Sequence, residues 1–289
     1  MTNNIGWKRL RILVTNKCNY RCPFCHNEGQ SKEERFYKLS FDDFKYFIDS
    51  IADQPLEELH FSGGEPFMNE RIVDMINYVC RNTNWDIGCA SNLSLIRDEH
   101  IEQLSGCRVK FNIQYPYADS VKFRESTGNG IMQIINSNIE KLRKASIKVG
   151  LNTVVQNHNM DYIEELVQYA INNELPLKLL PQLGGDGVDR YKGEVFSVLS
   201  KYSVEKRDKG TGAVRLVVTD GLKRTTVLYI DSPCFYNDFD CCKRFGELRI
   251  LPDFTLQPCI SKSSDVRLNL KEGNVVVQLN ELWKNFKSC

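Results

Sequence analysis

Short apolar runs alternate with helical periodicity between residues 9 and 180, and this rhythm limits the possible folds more than any other feature of the chain. "RLRILVT" (9 to 15) reads as a strand, and "SFDDFKYFIDSI" (40 to 51) as a helix with Ser40 as N-cap and Asp43 in its first turn. "LEELHFS" (56 to 62) is the next strand and "NERIVDMINYVC" (69 to 80) a helix capped by Asn69. The series continues with strand 86–91, a short helix near 97–104, strand 108–114, helix 131–145, strand 147–155, helix 161–173 and strand 176–180. Strands alternating with helices of this length call for parallel pairing and right-handed crossovers. The expected fold class is α/β, a partial (β/α)6 TIM-like barrel, because six units suit an open barrel better than a closed eight-fold one.

The rhythm stops near Pro181. "PQLGGDGVDRYKG" (181 to 193) reads as a glycine-rich loop and "KYSVEKRDKGTG" (201 to 212) as a solvated connector. Strand-like runs at 213–219 and 225–230, a cysteine cluster, a hairpin at 247–258 and an amphipathic helix near 278–287 follow. The expected organisation is a barrel over residues 1–210 and a small C-terminal α+β appendage over 211–289, and a 289-residue chain that is 42% apolar can bury one large core with such an appendage. Basic and acidic residues number 38 and 37, so no charged stripe suits nucleic acid, and a peptide or small-molecule partner fits better. The opening "MTNNIGWKRL" has no apolar signal core, and no window approaches the roughly 18 uninterrupted apolar residues of a membrane span. A cytoplasmic, reducing location is expected.

In that compartment eleven cysteines are more readily thiolates for metals or clusters than disulfides. Cys18, Cys22 and Cys25, in "CNYRCPFCHNEG" (18 to 29), have the spacing C-x3-C-x2-C directly after the first strand, at the end of a parallel sheet where ligands gather. Three such thiolates can grip three irons of a cubane [4Fe–4S] cluster and leave the fourth iron open to another ligand. A zinc knuckle completed by His26, or three buried thiols, would use the same residues. Cys80, Cys89 and Cys107 read as buried thiols, and His60, His100 and His158 lack metal spacing.

The triplet, with Phe24 before its last cysteine, resembles the cluster loop of the radical S-adenosylmethionine (SAM) superfamily. "FSGGEP" (61 to 66) resembles that family's GGE motif, which implies that Gly63, Gly64 and Glu65 bind the amino group of SAM. Glycines there would let backbone approach a ligand, and the acid would accept from an ammonium. Ser91 and Asn92 resemble the pair that holds the SAM ribose, Gln114 and Asn152 match polar positions facing SAM, and Phe24 is a possible adenine neighbour. The resemblance implies a catalytic [4Fe–4S] cluster, SAM as cofactor, and a one-electron donor such as flavodoxin or ferredoxin. It also implies a 5′-deoxyadenosyl radical that takes hydrogen from an unactivated carbon.

Five more cysteines, Cys234, Cys241, Cys242, Cys259 and Cys289, fall in the last part of the chain. "CCKRFGELRILPDFTLQPC" (241 to 259) resembles the hairpin of the twitch and SPASM domains, and implies an auxiliary [4Fe–4S] cluster. The set would be Cys234, one of Cys241 and Cys242, Cys259 and Cys289, with a structural zinc site as the alternative. That family has glycine in the hairpin turn, where this chain has Phe254. "CHNEG", "STGNG", "KVGLNTVV" and "ELRILPDFTLQPC" are most similar to the GTP 3′,8-cyclase and peptide-maturase group. The cyclase's three-cysteine C-x2-C loop and glycine-glycine tail are not reproduced, and eight residues before the first strand leave no room for a fused leader-peptide domain. The expected activity is radical SAM chemistry on a peptide or small metabolite, with a molybdenum-cofactor type of cyclase as the alternative and a non-catalytic iron–sulfur or zinc protein as the rival.

Overall fold

The computed structural model describes residues 7–25, 36–183, 188–208, 212–236, 238–245, 247–259 and 266–286. His26, Cys289 and most of the "LGGDG" loop therefore lie outside the described residues. The elements run β1 (Arg9–Leu13), α1 (Phe41–Ile51), β2 (Glu58–Ser62), α2 (Ile72–Asn82), β3 (Asp86–Ser91), α3 (Asp98–Leu104), β4 (Val109–Gln114), α4 (Ser120–Thr127), α5 (Met132–Lys144), β5 (Lys148–Val155), α6 (Ile163–Asn172) and β6 (Leu177–Pro181). After them come α7 (Val188–Leu199), β7 (Ser203–Asp208), β8 (Ala213–Asp220), β9 (Lys223–Ile230), α8 (Phe239–Phe245), β10 (Glu247–Ile250), β11 (Leu256–Gln257) and α9 (Val275–Asn285).

All strands join one sheet of order β11-β10-β1-β2-β3-β4-β5-β6-β9-β8-β7. β1 to β6 pair in parallel in sequence order, which is the partial (β/α)6 barrel expected of alternating strands and helices. The C-terminal strands extend both of its edges: β10 pairs in parallel with β1, and β9 in parallel with β6. Among the described residues no helix is long and apolar enough to cross a membrane.

Each barrel strand has two unlike faces. Leu10, Ile12, Leu59, Phe61, Ile87, Cys89, Phe111, Leu151, Leu177 and Leu179 are buried in the main hydrophobic core. On the outer side α1 contributes Phe44, Phe47, Ile48 and Ile51 to that core, and α2 contributes Met75, Ile76 and Val79. The other face holds the alternate residues. Register partners on parallel neighbours share a face, so Arg249, Arg11, His60, Gly88 and Lys110 line it together, as do Gln114, Asn152 and Lys178. This inner face is polar and charged.

Several expectations change. Ser40 does cap α1, accepting from the Asp43 N–H at 3.1 Å. Asn69, expected as a helix cap, precedes a single turn at Arg71 before α2 begins. Its buried amide donates to the Val14 and Leu39 carbonyls, both at 3.0 Å, and so ties the end of β1 to the approach to α1. The expected loop 181–193 gives way to α7 from Val188, because Tyr191, Val195 and Leu199 form a buried stripe that Gly193 interrupts in the sequence. The expected connector 201–212 contains β7, an edge strand paired antiparallel with β8, where alternating charge is tolerated and masks the strand signal. α4 was not anticipated: only Phe123 and Thr127 of its eight residues are buried. The last helix starts at Val275, capped by Asn274, a few residues earlier than expected.

Candidate active site

The cysteine loop and the turn after β2 are built against each other. Beyond the strand pairing, Val14 N–H donates to Ser62 O at 2.9 Å, Gly64 N–H to Thr15 O at 2.8 Å and Glu65 N–H to Lys17 O at 2.8 Å. A Cβ on Gly63 would lie 2.4 Å from Thr15 O, and one on Gly64 2.0 Å from Lys17 O and 2.8 Å from Cys18 N. Gly63 also has φ +141°, open to glycine alone in practice. Gly63 and Gly64 line the cavity described below, and they also make room for the backbone leading into the thiols.

Glu65 is 1% exposed and its carboxylate organises the end of β3. Oε1 accepts from Ser91 Oγ at 2.7 Å and from Phe67 N–H at 3.1 Å, and Oε2 accepts from Asn92 N–H at 2.7 Å. Burial pushes this acid up to about 7, and the three donors keep it from rising further. Because the folded value lies above the unfolded one, the stabilising effect is full below the unfolded carboxylate pKa and disappears as pH rises through about 7. Urea unfolding of the metal-free chain at pH 5.5 and 8.5 should therefore show wild type losing about 2 kcal/mol relative to Glu65→Gln. Equal losses would contradict this. From Asn92 the network continues: its amide donates to Asn19 Oδ1 at 2.8 Å and its carbonyl oxygen accepts from Ser94 N–H at 2.9 Å, linking β3 to the cysteine loop.

One cavity gathers the expected barrel residues. Cys18, Cys22, Cys25 and Phe24 form one wall, and the others are Gly63 to Glu65, Ser91 and Asn92, and Gln114 with Asn152. Burial raises the Cys18 thiol to about 11 and the Cys22 thiol to about 12, each pushed further by its neighbouring thiols, so metal uptake has to displace their protons. Among the described residues no three His, Cys, Asp or Glu side chains converge on a point that could hold one metal ion. Gln114 Nε2 and Asn152 Oδ1 are buried without a hydrogen-bond partner. A cavity lined by thiols and by an orphaned donor and acceptor fits a cluster together with a polar ligand.

The C-terminal cysteines lie elsewhere in the fold. Cys234 sits in a single turn at Pro233–Tyr236, Cys241 and Cys242 on α8, and Cys259 is buried just after β11. Asp238 caps α8 by accepting from Cys241 N–H at 2.9 Å. The hairpin β10–β11 forms, and Phe254 takes φ +65°, the left-handed backbone that glycine would supply, with its ring 5.8 Å from that of Phe47. Residues missed in the sequence are Arg11, Glu58, Lys178, Glu247 and Arg249 of the inner face, and His60, read there as structural. Their signal was a charged or histidine residue at alternate positions in "RLRIL", "ELHFS" and "ELRI", and a lone lysine in "LKLLP".

The family model of the radical SAM superfamily matches residues 12–170, from β1 through α6. The chain belongs to the radical SAM superfamily. It is 26% identical to the GTP 3′,8-cyclase of Clostridium perfringens over 290 aligned positions, covering 95% of this chain and 88% of that protein. A probable GTP 3′,8-cyclase of Archaeoglobus fulgidus is 23% identical and covers 91% of this chain and 89% of its own length. Among solved structures, Streptococcus suis SuiB bound to S-adenosylmethionine superposes with a TM-score of 0.73 at 15% identity, covering 99% of this chain and 68% of SuiB. Native anSMEcpe with bound AdoMet gives 0.65 at 13% identity, covering 96% and 84%. As a radical SAM protein the chain is an enzyme, and its family implies a [4Fe–4S] cluster and SAM.

Proposed function

We propose that this enzyme reductively cleaves SAM and uses the result to abstract hydrogen from an unactivated carbon of a peptide or small metabolite. The observation that carries the reading is the single cavity where three thiols meet the Gly63-Gly64-Glu65 turn and the unpartnered Gln114 and Asn152. Cys18, Cys22 and Cys25 would hold three irons of the cluster, Glu65 with Gly63 and Gly64 the amino group of SAM, Ser91 and Asn92 its ribose, and Phe24 its adenine. When bound, cluster and SAM together supply a 5′-deoxyadenosyl radical, given one electron from a donor such as flavodoxin or ferredoxin. The chain's part is to fix SAM against the thiols, to admit substrate beside it and to exclude water. A cytoplasmic location belongs to this reading, since the thiols must stay reduced.

The division into a barrel over 1–210 and a twitch-like unit over 211–289 is part of the proposal, with an auxiliary [4Fe–4S] cluster on Cys234, one of Cys241 and Cys242, Cys259 and Cys289. A peptide substrate is supported by the likeness to SuiB bound to its precursor peptide SuiA, TM-score 0.75. A cyclase-type reaction is supported by the GTP 3′,8-cyclase relatives, which align along nearly the whole chain. Iron and sulfide content after anaerobic reconstitution tests the auxiliary cluster. Replacing Cys234 and Cys259 together by alanine should remove about four irons per chain and leave about four. Unchanged iron would refute the auxiliary cluster.

A further inference from the structure

The inner face of the barrel carries more positive charge than its acids can balance. Arg11, Lys110, Lys178 and Arg249 face it from β1, β4, β6 and β10, against Glu58 and Glu247. Both acids are engaged. Glu247 accepts two hydrogen bonds from Arg11, at 2.9 and 3.2 Å, and lies 3.8 Å from Arg249 Nη1. Glu58 accepts from His60 Nε2 at 3.1 Å and lies 3.9 Å from Arg9. Among the described residues the Lys178 ammonium has neither a hydrogen bond nor an ion pair within 4 Å, although the charges of Glu58 and Glu247 reach it. Its side chain is half-buried, and desolvation followed by the charges of Lys110 and Arg11 lowers it to about 8, against the raising charges of Glu58 and Glu247.

Orphaned polar atoms surround the same space. Lys178 is the register partner of Asn152, whose Oδ1 has no partner, and Asn152 is the register partner of Gln114, whose Nε2 has none. His60 Nδ1 is also buried without a partner, and its ring fills the place a Gly88 side chain would take, 2.3 Å from a Cβ built there. Asn112, 3.4 Å from His60 Nε2, lines the thiol cavity as well, so the charged interior borders that cavity. Buried polar atoms without partners are costly to maintain, and those of Gln114, Asn152 and His60 beside a half-buried ammonium mark a ligand site.

We propose that Lys178 binds an anionic group of the substrate, a carboxylate or a phosphate, with Asn152 and His60 placed to take neighbouring polar atoms. This rests on the reading of the thiol cavity as the radical site and deepens it by naming the substrate class. The test is anaerobic calorimetric titration of the reconstituted protein with glutarate and, separately, with pyrophosphate, in wild type, Lys178→Met and Lys178→Arg. Wild type should bind at least one of the two, Lys178→Met should weaken it at least tenfold, and Lys178→Arg should restore most of it. The preferred probe assigns the group as carboxylate or phosphate. Lys178→Met should also melt no lower than wild type, since it removes a half-buried charge that has no ion pair within 4 Å. Binding of neither probe by wild type, or equal binding by Lys178→Met, overturns the proposal. Release of 5′-deoxyadenosine on the same wild-type sample separates the two readings. Release without anion binding sinks the anion site alone, and anion binding without release sinks the radical reading alone.

Discussion

Gly64→Ala is expected to destabilise the protein by about 3 kcal/mol or more and to lower its melting temperature by roughly 6–12 °C. The new methyl would stand 2.0 Å from Lys17 O and 2.3 Å from Lys17 C, both backbone atoms that no side-chain rotation can move aside. Relief requires the segment Thr15 to Cys18 to separate from the β2 turn, which breaks the Gly64-to-Thr15 and Glu65-to-Lys17 hydrogen bonds. The loop that presents Cys18 then shifts, so cluster uptake falls together with stability. Gly106→Ala is the control: φ is +79° but nothing lies within 4 Å of a Cβ there, so only backbone strain of about 1 kcal/mol should appear. Thermal melts of the two variants measure the difference, and equal shifts would mean that the close approach at Gly64 does not matter.

Replacing Cys18, Cys22 and Cys25 together by alanine is expected to lower reconstituted iron by about four per chain, from roughly eight to four if the auxiliary cluster is also present. The three thiols share one cavity wall, and burial, with the neighbouring thiols adding to it, holds Cys18 and Cys22 in the protonated form until a metal displaces the protons. Losing one ligand leaves two thiols that cannot hold a cubane with a single open iron. Each single variant should therefore lose nearly as much iron as the triple. Full iron in the triple variant would move the cluster to another part of the chain.

The barrel was legible because its strands and helices carry distinct periods, and the thiol loop because its spacing has few other uses. Glu65 was legible as a site residue through Gly63 and Gly64, although the glycines answer to Thr15 and Lys17 carbonyls that lie some fifty residues away and leave no local trace. α7 was hidden by Gly193, and β7 by the alternating charges of an edge strand. Residues 211–289 read as an appendage because sequence order says nothing about which sheet edge a strand joins; β10 reaches back to β1 across more than two hundred residues. Phe254 was a departure in the sequence that the backbone resolves by adopting a positive φ. The charged interior was the largest omission. Parallel strands buried on both faces are usually apolar throughout, so charged residues on one face of β1, β2, β6 and β10 were themselves the signal of a lumen built to hold something.

The central claim is that the cavity holds SAM against a cluster with one open iron. It is tested most directly by incubating the reconstituted protein anaerobically with SAM and a strong one-electron reductant and quantifying 5′-deoxyadenosine. Release that needs both protein and reductant, and that vanishes in the Cys18, Cys22 and Cys25 variant, is the expected result. No release from protein shown to carry a full complement of iron and sulfide would contradict the account and leave an iron–sulfur protein without radical chemistry.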